Sequence, residues 1–204
     1  MVEEEFEHLQ KNHLVFGEPN SPHLIAGGFH RDWPDARGVF YNADQNFQAW
    51  LNQEDHVRFI ANEMSSNVKD IFIRLYEGID LMSEALIDME KNFAHTKRLG
   101  YLTTSPSNLG TGLKVSVMMR LPLLSNRDDF VTIVHMLKLH PRMGTGDGEG
   151  MVEISNIDRL GRPEVELVNL VIHGLEKIIA LEDSLQRDHK TNVNTLVREI
   201  RATH

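Results

Sequence analysis

The sequence predicts an α+β fold in which an antiparallel β-sheet is flanked by helices. Two observations support this prediction. Short β-prone segments come in hairpins and meanders, and long amphipathic helices fall between groups of strands instead of alternating strictly with single strands. With 204 residues, of which 41% are hydrophobic and 25% charged, the chain is long enough for one well-filled core, and we expect one domain.

The first strands are predicted within residues 38–62. GVFYN and FQAWLN are β-prone runs separated by the turn-forming ADQN, which indicates a hairpin, and HVRFIANE follows as a third strand. Alternation in this third run places Arg58 on the face opposite Val57. KVSVMMRLP alternates in the same way, which puts Lys114 opposite Val115, and MVEIS predicts a further strand.

Apolar residues spaced three and four apart indicate two long amphipathic helices. One follows the N-cap residues Ser65–Asn67, and the other follows Pro163. Between them, Ser125 and Asp128 resemble a capping box, which predicts a helix that continues to about residue 140. The GTGDGEG that comes next is too rich in glycine for regular structure, and we expect a mobile loop.

Composition and charge exclude several classes of function. The formal net charge is -9, from 30 acidic and 21 basic residues, which argues against binding to nucleic acid. The absence of cysteine excludes disulfides and thiolate metal sites. MVEEEFEHLQ does not resemble a signal peptide, and no apolar run approaches the ~20 residues needed to cross a bilayer. We therefore expect a cytoplasmic protein that binds neither nucleic acid nor membrane.

Four cationic residues stand near predicted strand ends or turns, namely Arg37, Arg58, Lys114 and Arg142. They could converge on one polar face and bind phosphate oxygens, or they could be scattered surface charges, which the spacing alone favours. Glu54 or Asp55 in NQEDH could orient a nucleophile or accept a proton, although most such acids are simply solvated.

The 11 histidines contain no HExxH or comparable ligand pair. We therefore expect no metal ion held by the protein itself. Any Mg²⁺ would arrive with a nucleotide and be held chiefly by its phosphates.

At RDWPDARGVFYN, AWLNQEDHVR, LGYLTTSPSNLGTGLK and VEISNIDRLG the chain resembles the C-terminal catalytic domain of the phosphagen kinases, and of creatine kinases in particular. The resemblance runs in the same order from about His13 to Leu185. It implies an antiparallel sheet with flanking helices, of the kind shared with glutamine synthetases, that carries ATP or ADP with Mg²⁺ on one face. It also implies reversible transfer of the γ-phosphoryl group of ATP to a guanidino nitrogen such as that of creatine.

On this basis we expect a helix at residues 1–12, the catalytic domain at residues 13–190 and a polar tail at residues 191–204. The resemblance implies that Trp50 lies beside the guanidino substrate and that Glu54 positions the guanidinium and acts as a base. It assigns Ser105 and Asn108 to a turn of the catalytic machinery. The residues that it assigns to the nucleotide and its phosphates are His13, Arg37, Arg58, Lys114, Arg142 and Asp158.

Several residues depart from the family pattern. Ser105 stands where family members carry a reactive cysteine, and a serine hydroxyl stays neutral near pH 7. Lys114 replaces an arginine, so that the bidentate fork is lost although the charge is kept. Met118 replaces a histidine, and Met143 stands where an arginine precedes Gly-Thr-Gly in the family, so that Arg142 is displaced by one position.

The N-terminal domain of the family, and the segment with two further phosphate-binding arginines, are not in this sequence. We therefore expect a degenerate, pseudoenzyme-like domain that binds ATP and serves as a structural or interaction component of a larger assembly. A protein partner would cover the surface that the N-terminal domain leaves, and cytoskeletal association is compatible with this role. The alternative is an active half of an ATP:guanidino phosphotransferase that a partner chain completes.

Overall fold

The computed structural model describes residues 16–144 and 148–187. The helix expected at residues 1–12, the nucleotide-site candidate His13, both limits of the predicted catalytic domain and the tail from residue 191 lie outside these ranges. So does part of the GTGDGEG segment. The chain divides into two compact units, unit 1 (Met1–Ser107) and unit 2 (Asn108–His204).

Unit 1 is built on an antiparallel sheet whose three strands are adjacent in chain order: β1 (Gly38–Tyr41), β2 (Phe47–Leu51) and β3 (Val57–Ala61). The described part of this unit also contains the helices α1 (Pro22–Ala26) and α2 (Val68–Asp88). The long helix α2 packs against β2 and β3. A small antiparallel ladder completes the unit: β4 (His95–Thr96) and β5 (Gly100–Tyr101).

Local sequence explains these elements, and the predicted hairpin, third strand and first long helix are confirmed. The side-chain oxygen of Asn42 accepts hydrogen bonds from the amides of Asn46 and Phe47, each at 3.0 Å, which closes the turn between β1 and β2. Asn67 caps α2 with its side chain. Gly78 lets α2 lie close to the sheet, since a Cβ there would fall 2.1 Å from Phe47 Cζ.

Unit 2 contains a second antiparallel sheet, in the order β6-β8-β7. Its strands are β6 (Ser116–Arg120), β7 (Leu139–Met143) and β8 (Met151–Asn156). Its helices are α3 (Phe130–Met136) and α4 (Glu164–Arg187). Apolar side chains from β7, β8 and both helices form the core, among them the fully buried Val134, Leu139, Ile154 and Ile178. The strands predicted from KVSVMMRLP and MVEIS, and the helix after Pro163, are confirmed.

A buried carboxylate fixes the segment that precedes α3. Glu182 of α4 is only 4% exposed. Its two carboxylate oxygens accept hydrogen bonds from the backbone amides of Leu123 at 3.0 Å and Leu124 at 2.7 Å. This pairing satisfies two backbone donors that no helix or strand uses, and it ties the turn to α4.

The helix predicted from Ser125 to about residue 140 is wrong in its extent. Turns occupy most of residues 122–129, and α3 ends at Met136. Lys138, with φ of 60°, then reverses the chain into β7. Leu139 and Pro141 are buried while their neighbours in β7 are exposed, which is the period of a strand. The proline is tolerated because β7 is an edge strand.

Neither long helix in the described part of the chain has the length and hydropathy of a membrane-spanning segment.

Candidate active site

In unit 1, Trp50 and Arg58 face each other across the sheet. They are register partners on β2 and β3, and the Arg58 guanidinium carbon lies 5.7 Å from the centre of the Trp50 ring. The indole N–H of Trp50 donates to Gln48 Oε1 at 3.0 Å, and the Phe16 ring lies 5.2 Å from the Trp50 ring. The cation–π contact, together with this hydrogen bond, holds an exposed guanidinium over a half-buried indole.

Glu54 lies in the tight loop between β2 and β3. The loop is fixed by Asn52, whose φ is 56° and whose side-chain amide donates to Ala36 O at 2.8 Å. Glu54 itself is 25% exposed at its side chain, and its Oε1 lies 3.9 Å from His23 Nε2. The loop therefore presents a partly buried carboxylate beside an imidazole, an arrangement suited to holding a cation or accepting a proton.

Ser105 lies next to Thr104, which is hydrogen-bonded to the loop between β2 and β3. The backbone amide of Thr104 donates to Asp55 Oδ1 at 2.5 Å. Ser105 is 6% exposed, and its Oγ lies 2.9 Å from Ser107 Oγ. A neutral hydroxyl that shares a hydrogen bond with a second hydroxyl carries no charge with which to hold a substrate cation.

Arg37 is engaged by its own loop. Its guanidinium donates to the carbonyl oxygens of Phe29 and Asp35, the latter at 2.6 Å, and lies 5.8 Å from the centre of the Trp33 ring. These contacts use one N–H donor on each of the two terminal nitrogens of the guanidinium. In this arrangement Arg37 stabilises the loop between α1 and β1.

In unit 2, Lys114 forms an ion pair with a carboxylate whose neighbour in the strand register is Arg142. Lys114 Nζ lies 2.6 Å from Glu153 Oε1, and Glu153 is the register partner of Arg142 on β7 and of Met118 on β6. The side chains of Lys114 and Glu153 are 32% and 14% exposed, so the carboxylate is the more buried partner and the ammonium remains accessible to water. The positive charge of Lys114 is therefore already paired with the negative charge of Glu153.

The pKa of Glu153 reports this environment. Burial raises the pKa of the carboxyl, but the hydrogen bond and charge of Lys114, with further contributions from Ser116 and Arg142, outweigh burial and hold that pKa below its usual range. The carboxylate form is therefore favoured wherever Lys114 stays in contact.

Asn108 anchors the glycine-containing turn to the segment after β8. Its Oδ1 accepts from Arg159 Nη1 at 2.8 Å, while Arg159 O accepts from the amide of Thr111 at 2.9 Å. Gly110, with φ of 105°, lies so close that a Cβ would fall 2.2 Å from Arg159 O. The glycine is required at this position by both conformation and space.

The neighbouring Asp158 lies in the same segment, with an exposed side chain. Its carbonyl oxygen accepts from Asn156 Nδ2 at 2.8 Å. Asn156 is 3% exposed and also accepts from the amide of Val115 at 2.8 Å. Through this buried amide the segment that holds Asp158 is joined to the segment that leads from Lys114 into β6.

Comparison with known proteins supplies the family. A family model described as ATP:guanido phosphotransferase, C-terminal catalytic domain, matches residues 1–185. The chain belongs to this family. It is 41% identical over 193 residues to creatine kinase M-type of Gallus gallus, and 40% identical over 191 residues to the flagellar creatine kinase of Strongylocentrotus purpuratus. Each match covers 92% of this chain.

Solved structures of guanidino kinases share the fold. Lombricine kinase superposes with a TM-score of 0.89 at 35% sequence identity. The match covers 97% of this chain and 55% of the lombricine kinase chain. The substrate-free duplicated taurocyamine kinase from Schistosoma mansoni gives 0.84 at 33% identity, covering 94% of this chain and 27% of the other. The predicted fold class and family are therefore confirmed. The chain spans 50% of the M-type creatine kinase and 16% of the flagellar one.

Within each unit the structure brings some of the predicted site residues together. Trp50 and Arg58 are in contact, and Glu54 lies in the loop that joins their strands. Lys114 forms an ion pair with Glu153, which is the register partner of Arg142. The roles that the resemblance assigns to these residues, to Ser105 and to Asn108 stay predictions.

Two residues that pair with predicted site residues were not singled out from the sequence. Glu153 pairs with Lys114, and Arg159 pairs with Asn108. Alternation in MVEIS places Glu153 on the polar face of its strand, which is a detectable signal. Its pairing with Lys114 depends on strand register and could not be found from one strand alone.

Proposed function

We propose that this chain is a guanidino kinase catalytic domain of the creatine kinase type that binds an adenine nucleotide but on its own transfers no phosphoryl group to a guanidino nitrogen at a measurable rate. The observation that supports the proposal is the ion pair between Lys114 Nζ and Glu153 Oε1 at 2.6 Å. Phosphoryl transfer depends almost entirely on positioning and on cations that stabilise the charge of the transition state. A cation that is already neutralised by a neighbouring carboxylate contributes less to that stabilisation.

Lysine is also a weaker phosphate ligand than arginine at a site that needs two parallel donors. Arginine presents a planar fork that can bind phosphate and a carboxylate at once, whereas Lys114 offers one compact ammonium. In related chemistry a single well-placed arginine contributes roughly 10³–10⁵ in rate. We therefore expect the substitution at this position to reduce transfer strongly.

The serine at position 105 should lower the rate of phosphoryl transfer further. A thiolate at this position would attract the guanidinium of the substrate, but the Ser105 hydroxyl is neutral and lies 2.9 Å from the Ser107 hydroxyl. The substrate cation would depend mainly on Glu54, whose carboxylate has a partly exposed position beside His23.

Nucleotide binding is supported by the remaining cations. Arg58 is exposed above Trp50, and Arg142 on β7 is exposed as well. Among the described residues no group of three or more His, Asp or Glu side chains could hold a metal ion. Mg²⁺ would therefore be held by the phosphates of the nucleotide, as is usual for ATP-dependent transferases, and would neutralise their charge.

A titration with a fluorescent ADP analogue tests nucleotide binding, and a coupled ATP assay with creatine or arginine tests transfer. We expect saturable nucleotide binding by the wild type. The affinity should fall at least about tenfold in Arg58→Ala, because this variant lacks one charged hydrogen-bonding group. We expect transfer by the wild type to equal that of Glu54→Gln. If the ADP analogue gave no saturable signal, the proposed nucleotide site would be wrong. Transfer by the wild type well above that of Glu54→Gln would contradict the proposed loss of activity.

The alternative is an active phosphotransferase domain completed by a partner chain. It is supported by the contact between Arg58 and Trp50 and by the position of Glu54 in the adjoining loop. Transfer that emerges only when a candidate partner is added, and that disappears in Glu54→Gln, would favour it.

A role as a component of a larger assembly, in the cytoplasm or on the cytoskeleton, remains a prediction from the sequence. Size analysis of the purified chain with candidate partners tests it. A monodisperse monomer with full turnover would contradict it.

A further inference from the structure

A pair of exposed histidines in unit 2 lies apart from the residues of the candidate active site. His135 is near the end of α3, and His140 is the second residue of β7. The chain reverses between them at Lys138, where φ is 60°. This turn brings the two imidazoles together although one is on a helix and the other on a strand.

The two rings face each other through one nitrogen each. His135 Nε2 lies 3.4 Å from His140 Nδ1, the ring centroids are 5.7 Å apart, and the planes differ by 15°. Zinc–imidazole bonds of about 2.0–2.1 Å at a tetrahedral angle place two ligand nitrogens about 3.3–3.4 Å apart. The separation of the nitrogens therefore matches the bite of one tetrahedral metal ion.

We propose that His135 and His140 form a surface site for a divalent cation that takes tetrahedral coordination, namely Zn²⁺. Imidazole suits Zn²⁺, whereas Mg²⁺ prefers oxygen ligands. Because both side chains are exposed, each ring is able to turn about its Cβ–Cγ bond until both lone pairs point at one ion. The cation would cross-link the end of α3 to β7.

The site has two protein ligands and leaves its other positions to water. No third His, Asp or Glu joins the pair in the part of the chain that the structure describes. Sequence motifs did not indicate the pair, because a helix places ligands three or four residues apart whereas these residues are five apart across a turn.

Isothermal titration of the full chain with Zn²⁺ at neutral pH tests the proposal, with the variants His135→Ala and His140→Ala. His173→Ala is the matched control, because His173 is also an exposed histidine of unit 2 but its Nδ1 lies 2.7 Å from the carbonyl oxygen of Asn169. We expect one Zn²⁺ site in the wild type and in His173→Ala. In His135→Ala and in His140→Ala we expect the affinity for Zn²⁺ to fall at least about tenfold, because each variant lacks one of the two ligands.

Thermal unfolding provides a second measurement, in which the difference between the wild type and each variant separates this pair from the other histidines of the chain. Zn²⁺ that binds the folded state stabilises it by mass action, so that it raises the Tm of the wild type more than that of either His135→Ala or His140→Ala. Mg²⁺ at the same concentration should produce no difference between wild type and variants. If both variants keep the Zn²⁺ affinity and the Tm response of the wild type, the two histidines form only a hydrogen bond and the proposal is wrong.

Discussion

Replacing Glu182 should destabilise unit 2, because its carboxylate is the acceptor for two backbone amides. The side chain is 4% exposed, and the distances to Leu123 N and Leu124 N are 3.0 and 2.7 Å. A hydrogen bond to a charged group contributes about 1.5–3 kcal/mol, and a buried donor left without an acceptor costs a similar amount. We therefore expect Glu182→Ala to lower the free energy of unfolding by about 3–5 kcal/mol, and Glu182→Gln, which keeps one acceptor oxygen, by about 1–3 kcal/mol.

Urea denaturation followed by circular dichroism measures the effect. With a denaturant slope at the upper end of the usual range, about 3 kcal/mol per molar, Glu182→Ala should lower the midpoint by about 1–2 M. Glu176→Gln, an exposed glutamate on the same helix, is the matched control and should leave the midpoint nearly unchanged. If Glu182→Ala and the control gave the same midpoint, the carboxylate would not stabilise the turn as described.

Three further predictions concern unit 2. Because the pKa of Glu153 is lowered in the folded state, chiefly by Lys114 acting against burial, the ion pair stabilises the fold above the ordinary glutamate pKa of about 4.3. That stability is lost as the pH falls through the lower folded value, so the stability difference between wild type and Lys114→Met, followed by urea midpoints from pH 7 to pH 3, should shrink at the acid end. Gly110→Ala, which places a Cβ 2.2 Å from Arg159 O at φ of 105°, should cost at least about 3 kcal/mol in the same denaturation assay. Gly112→Ala, at φ of 65° with its nearest neighbour 3.8 Å away, should cost only about 1–2 kcal/mol. Glu153→Gln should release Lys114 and tighten binding of the ADP analogue roughly 3–10-fold, while Glu176→Gln should not; unchanged affinity would show that Glu153 does not compete with phosphate.

Elements with strong local signals could be predicted from the sequence. The helix α2 has an N-cap at Asn67 and a long apolar stripe, and the β1–β2 hairpin has turn formers between two β-prone runs. The strand β7 could not be predicted, because its five residues include a proline and follow directly on an apolar helix. Its identity is set by pairing with β8, for example Pro141 with Ile154.

The contacts within the candidate site could not be predicted from local sequence either. Family motifs pointed to Trp50, Glu54 and Lys114, but the contacts that decide their chemistry join residues far apart in the chain. Lys114 and Glu153 are 39 positions apart, and they meet only because β6 and β8 pair in one register. The histidine pair was missed because its geometry depends on a turn at Lys138 that the predicted longer helix excluded.

Phosphorus NMR of the purified chain with Mg²⁺–ATP and creatine would test the central claim most directly, because it observes the phosphorylated guanidine itself. Our account predicts that the wild type forms it no faster than Glu54→Gln, while nucleotide signals still shift on binding. Formation by the wild type that is clearly faster, and that Glu54→Gln abolishes, would contradict it.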